Sequence, residues 1–425
     1  MKPTQNQQII IDNILNSKNK YHILKGAGGT GKSFTIQHLT QSALARGMTV
    51  QLTTTTNAST KILQEYSRRE VKTIHSLLSL RLAQVKFRQE LIQGSTKNLM
   101  FKSLLVIDEM SMIDSTLLTY LLLKENKFKK ILFVGDMLQL PAVGEEASIE
   151  ETLNPEIHEL TEILRMEAKN SQAIKLMKYL RNTITEALDG STLNCTLPIC
   201  KSDFSIEFIH DHNEFLQKYY DDKDEKLLLS YRNSYIEKVS KWISAYSNNN
   251  RSNFYIGQEL VLSSPMLEGI YKNNEKVTVL NVVQNSEFHE KEAVELTIGA
   301  EDKPTALLFK LKYKKDRDEL LTKYQEELDE KNYWDVFNNS SNIYDSQVMT
   351  INKAQGSSIN NVYINATDLW NAYKQKKNDY NNPISFVHFL KLYYVAISRM
   401  RKKAIIYIGN GVVTFSYSPI RKDKK

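Results

Sequence analysis

Residues 26–33 read GAGGTGKS, which fits the pattern G-x-x-x-x-G-K-[ST] and directly follows the apolar run YHILK. Glycines let backbone N–H groups turn toward a phosphate chain, and the helix that follows points its positive end at the same charge. In that chemistry Lys32 reaches the β- and γ-phosphates and the Ser33 hydroxyl holds Mg²⁺. A second apolar run, LLVIDEMS at 104–111, ends in two acids. Asp108 is placed to hold Mg²⁺ through water and Glu109 to polarise an attacking water. A third run, ILFVGDMLQLP at 131–141, brings Gln139, whose amide has the reach to contact a γ-phosphate; Asp136 is expected to cap a turn. These three segments together describe hydrolysis of a nucleoside triphosphate.

Parallel strands are what such residues need behind them. YHILK (21–25), VQLTT (50–54), LLVIDE (104–109) and ILFVGD (131–136) are short, apolar and separated by helix-length segments, as in a buried α/β sheet. The stretch 77–102 fits no sheet strand well and reads as an excursion from the sheet. A second alternation begins near 181 with FSIEFI (204–209), KLLLSY (226–231), VYINA (362–366) and AIIYIG (404–409). Between its members, residues 254–312 show repeated period-2 strands with turn signals, the pattern of a small antiparallel barrel. The charged run 314–331 reads as a solvated helix supported by i,i+4 pairs.

Composition sets the outer bounds. A chain of 425 residues suggests two to four domains, and 41% hydrophobic with 25% charged residues can bury a real core. The 56 Lys and Arg against 49 acids give a net charge of +7, which permits nucleic-acid binding without requiring it. The two cysteines, Cys195 and Cys200, exclude a disulfide scaffold and fit a reducing compartment. A zinc site on that pair would need two more ligands, with His210 and His212 the nearest. The N-terminal MKPTQNQQ lacks the apolar centre of a signal peptide, and no run approaches 18 apolar residues. The expectation is a soluble, cytoplasmic protein.

The segments GDMLQLPAV and VIDEMS resemble the superfamily 1 helicases, and further motifs resemble their RecD-like branch. T-x-x-Q at Thr4–Gln7 resembles an adenine-reading glutamine motif, marking Gln7; TTTTNASTKIL (53–63) resembles a DNA-contacting motif; KTIHSLL (72–78) resembles a threonine-x-histidine motif. LTEILR (160–165) resembles the motif ending in an arginine that faces the γ-phosphate, here Arg165. Near the C-terminus TINKAQGSS (350–358) resembles T-x-H-K-A-Q-G, and LYYVAISRMR (392–401) resembles Y-V-A-x-T-R-x-R, placing Arg399 as an arginine finger. Asn352 stands for the usual histidine and Ser398 for the usual threonine.

The resemblance implies a fold class: α/β, with two RecA-like P-loop domains built on parallel sheets, a small pin insertion and an SH3-like β-barrel insertion. It implies a first RecA-like domain over 1–78 and 104–180, a pin over 79–103, a second RecA-like domain over 181–259 and 346–425, and the SH3-like insertion over 260–345. ATP and Mg²⁺ are the implied cofactors. Lys32, Asp108, Glu109, Gln139, Arg165 and Arg399 would be catalytic, with Ser33 and Asp108 at the metal. Gln7, Gly26, Ala27, Gly28, Gly29, Thr30, Gly31, Lys32, Ser33, Phe34 and Gly356 would surround the nucleotide. DNA would meet Thr56, Asn57, His75, Asn352 and Lys353, and Phe87 is the candidate wedge or stacking residue, or else packs the base of the pin. Trp334 is expected in a core. Opening one base step costs about 1–2 kcal/mol, and stacking a base on an aromatic returns about 1–3 kcal/mol. One ring can therefore offset one step.

The activity so implied is an ATP-dependent DNA helicase moving 5′→3′ on single-stranded DNA, acting as a monomer at single-strand/duplex junctions, with replication or recombination proteins as possible partners. A phage-encoded chain would work in the bacterial host cytoplasm. Two alternatives stay open: an RNA-directed or remodelling NTPase of the same architecture, and an ATP-gated clamp that grips a single strand without unwinding.

Overall fold

The computed structural model describes residues 2–94, 99–140, 149–162, 171–190, 196–247, 254–262, 266, 270–271, 275–340, 343–374, 384–409 and 414–416. The chain divides into two compact units, Met1–Arg81 with Gln93–Lys226 and Ala354–Lys425, and Leu82–Ile92 with Leu227–Lys353.

The first unit opens with helix α1 (Gln5–Asn16), which feeds strand β1 (Tyr21–Gly26), helix α2 (Lys32–Ala45), strand β2 (Val50–Thr54), helix α3 (Asn57–Ser67) and strand β3 (Val71–Thr73). A hairpin of β4 (Leu80–Val85) and β5 (Arg88–Gln93) follows, then β6 (Ser103–Asp108), β7 (Phe128–Gly135) and β8 (Glu156–Leu160). Six of these strands form one parallel sheet in the order β3-β2-β6-β7-β1-β8. The strands β6 and β7 are buried at nearly every position, which is why they read as continuous apolar runs rather than alternating ones. Alternate residues still sort to two faces. Leu24, Leu52, Leu104, Val106, Leu132, Val134 and Leu160 pack with Ile10, Ile11, Ile14, Ile36, Leu39, Ala43 and Leu63 in one core. That packing seats α1, α2 and α3 against the sheet and fixes the strand ends where the phosphate loop and the acids emerge.

In the same unit, Ile206–Ile209 pairs in parallel with Met400–Tyr407, which pairs in parallel with Ile359–Asn365. Helix Phe386–Ser398 is buried on all sides over its second half, Leu392 to Ser398, so it holds its last turn rigidly. The α/β class with parallel sheets expected from the sequence is the class observed.

The second unit carries an antiparallel sheet in which Ala306–Leu311, Lys291–Gly299, Lys276–Phe288, Glu259–Leu262 and Ile343–Asp345 follow one another from edge to edge. Its described pairings leave two edges, so the closed barrel expected from the sequence is not among them. Leu228–Ser230 pairs in parallel with Val348–Thr350 in this unit. The charged run expected as one solvated helix is two helices, Lys314–Glu326 and Glu330–Asn339. Leu320, Tyr324 and Val336 from them are buried with Phe288, Ala293 and Leu311 of the sheet, so one face is core. The break falls at Leu328, held at φ 56°.

The stretch 77–102, expected as an excursion from the sheet, contains the β4–β5 hairpin, which pairs apart from the six-stranded sheet. Its polarity hid it: Leu80 is buried but Arg81, Leu82 and Gln84 are exposed, so no apolar face is repeated along it. Lys86 and Phe87 form the two-residue turn, Lys86 at φ 52°.

Candidate active site

The phosphate loop takes its shape from glycines. Gly29 and Gly31 hold φ near +83° and +84°, in the left-handed region that favours glycine. A side chain at Gly26 would meet Thr30 Oγ1 at 2.5 Å, so that position is closed to anything larger. Thr30 Oγ1 donates to Ala27 O at 2.9 Å and stiffens the turn. Gly31 then caps α2 without any side-chain bond, leaving first-turn N–H groups to an outside acceptor. Lys32 Nζ donates to Gly26 O at 2.8 Å and Ala27 O at 3.0 Å, carbonyls that a phosphate oxygen would displace.

The strand β6 delivers the acids. Asp108 is 8% exposed, and burial, reinforced by Glu109 and opposed by Lys32, pushes its carboxyl up to about 7. Asp108 Oδ1 accepts from the Glu109 backbone N–H at 2.9 Å. Glu109 itself sits at φ 59°, ψ 49°, an uncommon conformation for a non-glycine residue and one that turns the chain sharply beyond the strand. The Ser33 hydroxyl and Asp108 carboxylate line one cleft, and two hard oxygen donors suit Mg²⁺.

That cleft has a volume of about 500 Å³ and lies wholly within the first unit. Lys32, Ser33, Phe34, Asp108, Glu109, Gln139, Gly356 and Arg399 all line it. Arg399 follows helix Phe386–Ser398 and is 5% exposed. Its Nη2 donates to Ser398 Oγ at 2.9 Å and to Gln139 Oε1 at 3.4 Å, and its Nη1 to Ser357 O at 3.4 Å. The serine that replaces the usual threonine thus keeps the contact a hydroxyl makes. Gln355 Nε2 donates to Leu140 O at 3.2 Å, tying the KAQG turn to the segment after Gln139.

Gln7 closes the opposite side. Thr4 and Gln7 form a capping box: Gln7 N–H donates to Thr4 Oγ1 at 3.3 Å, and Thr4 N–H donates to Gln7 Oε1 at 2.9 Å. Gln7 is 1% exposed, and its Nε2 is buried with no partner beside the cleft. A buried unsatisfied donor costs about 1–3 kcal/mol, so this amide is poised for an acceptor from a ligand.

The other candidates scatter. Thr56 caps α3, its Oγ1 accepting from Ser59 N–H at 3.2 Å, and Asn57 opens that helix. Gly356 at φ +78° packs beside them: a Cβ there would meet Ser59 Oγ at 2.3 Å and Thr56 Oγ1 at 3.3 Å. Glycine is required, which explains the last letter of KAQG. His75 lies in the short helix Ile74–Leu77, and burial holds its imidazole below its ordinary pKa. Asn352 is exposed and Lys353 stacks over the Tyr344 ring at 4.2 Å, both within the second unit. Phe87 meets the Tyr333 ring edge-on at 5.3 Å, and Trp334 Nε1 donates to Lys86 O at 2.7 Å. Trp334, expected in a core, is half-buried and clasps the hairpin tip. Arg165, Cys195 and the RKDKK tail lie outside the described residues.

Sequence reasoning missed a buried network beside the cleft. Arg181 Nη1 donates to both oxygens of Asp136 at 2.7 Å and to the Tyr394 hydroxyl at 2.9 Å. Tyr394 donates to Asp136 Oδ2 at 2.7 Å and accepts from the Gly28 N–H at 3.4 Å. Burial opposes the Arg181 charge, but Asp136 and Tyr394 outweigh it and hold the guanidinium above its ordinary pKa. Asp136 is therefore more than the turn cap expected of it. The tyrosine inside LYYVAISRMR was the available signal; Arg181 had none.

A family model described as AAA domain matches residues 2–192. The chain is 24% identical over 289 residues to the ATP-dependent DNA helicase dda of Enterobacteria phage T4, covering 63% of this chain and 65% of that protein. It is 31% identical over 150 residues to the ATP-dependent RecD2 DNA helicase of Deinococcus radiodurans, 35% of this chain and 20% of that one. The chain thus spans just under two thirds of the phage relative and a fifth of the bacterial one. In fold it is similar to Bacteroides Pif1 bound to single-stranded DNA, with TM-score 0.52, 16% identity, and 96% and 92% of the two chains covered. It is equally similar to Pif1 helicases solved on forked duplex DNA, with TM-score 0.53, 15% identity and the same coverage. In sequence the chain is thus similar to DNA helicases of the dda and RecD2 kinds, and in fold to Pif1. Residues 26–33 carry the P-loop pattern within the matched stretch, and no described helix is long and apolar enough to cross a membrane.

Proposed function

We propose that this chain is an ATP-dependent DNA helicase that moves 5′→3′ along single-stranded DNA and separates the strands of a duplex at a junction. The observation that carries this reading is the meeting of Lys32, Asp108, Glu109, Gln139 and Arg399 around one cleft, with Gly356 of the KAQG turn at its wall. In this reading Lys32 and the first turn of α2 bind the phosphates, Glu109 orients and deprotonates the attacking water, and Arg399 stabilises charge on the transferred group. Mg²⁺, held through Ser33 and Asp108, would neutralise phosphate charge when bound. Gln7 holds the base through its unpartnered amide. DNA runs past Thr56, Asn57, His75, Asn352 and Lys353, with Phe87 at the tip of the hairpin as the wedge. The names of the relatives, DNA helicases of the dda and RecD2 kinds, support the DNA substrate, and the Pif1 structures on single strands and forks support the junction.

Strand displacement on matched duplexes, one with a 5′ and one with a 3′ single-stranded tail, tests the reading. With ATP and Mg²⁺, the wild-type chain is expected to open only the 5′-tailed duplex and Lys32→Ala neither. Opening only the 3′-tailed duplex would reverse the polarity. DNA-stimulated hydrolysis without displacement would make the chain a single-strand clamp, and equal stimulation by RNA would discard DNA specificity.

A further inference from the structure

We propose that His22, Glu156 and His158 form a binding site for one zinc-class divalent ion at the edge of the first sheet. His22 and Glu156 are direct partners in the β1–β8 ladder, and His158 lies two residues further on, so all three side chains stand on one face. That face is otherwise apolar: Leu24 and Leu160, the next positions along, belong to the core under α1. Two imidazoles occupy places where the pattern calls for leucine.

The three side chains place one ligand atom each in a triangle no wider than 4.8 Å, and either Glu156 oxygen lies near it. His22 Nδ1 lies 3.3 Å from His158 Nε2 and 3.8 Å from Glu156 Oε2, and His158 Nε2 lies 3.9 Å from Glu156 Oε1. Donors around a tetrahedral ion at zinc distances sit roughly 3.3 Å apart. His22 is fully buried and the His158 side chain is 5% exposed, whereas Glu156 is half-exposed.

The surroundings fix the ligands from behind. The Asn19 carbonyl can only accept, so His22 Nε2 carries the proton at 3.1 Å and its Nδ1 lone pair faces the triangle. Glu156 Oε2 accepts from Ser17 Oγ at 2.7 Å and Asn19 Nδ2 at 3.2 Å. Such outer partners are what orient ligands in built metal sites. Lys130 is a cation close by; its Nζ lies 3.5 Å from His22 Nε2, on the ring edge away from the triangle, and donates to Ser17 O and Asn19 O at 2.5 and 3.0 Å. Two imidazoles and one carboxylate select zinc-like ions over Mg²⁺ or Ca²⁺. The site begins β1, and the phosphate loop begins at its other end, ~13 Å away along the strand. It would clip the edge strand to the α1–β1 turn without entering the nucleotide cleft.

Tag-free full-length protein, stripped of metal, is titrated with Co²⁺ and then Zn²⁺ by visible absorption and calorimetry. One cobalt per chain is expected, displaced by zinc, with a rise in melting temperature. Glu156→Gln keeps the acceptor for Ser17 and Asn19, so it should fold as wild-type, yet bind at least tenfold more weakly; His158→Gln should lose binding altogether. No saturable binding, or Glu156→Gln and His158→Gln binding as well as wild-type, would overturn the proposal and leave the two imidazoles joined by an ordinary hydrogen bond.

Discussion

The guanidinium of Arg399 donates to the carboxamide oxygen of Gln139 across 3.4 Å, although 260 positions separate the two in the chain. Both are at most 5% exposed, and both line the cleft that holds Lys32 and Glu109. The contact places a positive charge and a neutral amide side by side, where the proposed function puts the γ-phosphate. Such a cation matters most in the transition state, where charge spreads over the transferred oxygens. Arg399→Ala is therefore expected to lower kcat for ATP hydrolysis by about 10³–10⁵. The KM should stay within a few fold. Steady-state assays with saturating single-stranded DNA give both numbers; a large KM rise with unchanged kcat would assign Arg399 to ground-state binding instead.

Gln7 allows a sharper test of the base contact proposed for it. Its Oε1 already serves the Thr4 N–H, while Nε2 has no partner. Gln7→Glu keeps the acceptor for the capping box and removes only the donor. The expected result is a rise of about tenfold in KM for ATP, equivalent to one lost hydrogen bond of ~1.4 kcal/mol, with helix content and melting temperature preserved. Loss of stability without a change in KM would confine Gln7 to capping α1.

How much of this was legible beforehand follows from what kind of signal each part leaves. The phosphate loop, Asp108, Glu109 and Gln139 were readable because each ends or closely follows a buried strand, and an apolar run ending in glycine or acid is a local pattern. Gly356 could be placed in a motif but not explained, since its reason is Ser59 Oγ approaching from another segment. The β4–β5 hairpin was legible only as an excursion from the sheet, because its strands bury almost nothing and hydrophobic periodicity has no purchase on it. Strand β8 escaped for a related cause: at the edge of the sheet, EIHEL alternates acids with His158, and only the fold shows what the histidine faces. Arg181 sits in the long helix Gln172–Leu188, where sequence alone cannot distinguish it from a solvated arginine.

The Arg181–Asp136–Tyr394 network predicts a difference between two single variants. Asp136 is 2% exposed and holds both other members. Asp136→Ala leaves a largely buried guanidinium without its carboxylate, expected to cost about 3–5 kcal/mol. Tyr394→Phe removes hydrogen bonds to charged groups but keeps the ion pair and the ring, expected to cost about 1.5–3 kcal/mol. Urea denaturation of the two variants checks the ranking. Equal, small effects would mean that the network relaxes around either loss.

Phe87 turns the chain at the hairpin tip, against the edge of Tyr333, with Trp334 bonded to the carbonyl of the preceding Lys86. Two variants separate its roles. If the ring splits base steps, Phe87→Ala should lower strand displacement several-fold, because one lost stack of about 1–3 kcal/mol no longer offsets an opened step. DNA-stimulated ATP hydrolysis should then stay near wild-type, since the hairpin tip contributes nothing to the cleft. Trp334→Phe removes the clasp on Lys86 and leaves Phe87 in place, so displacement should fall less than for Phe87→Ala. Wild-type displacement by Phe87→Ala would make the ring a packing partner of Tyr333 and nothing more. A fall in hydrolysis that matches the fall in displacement would show that the hairpin couples to the nucleotide cycle rather than to strand separation alone.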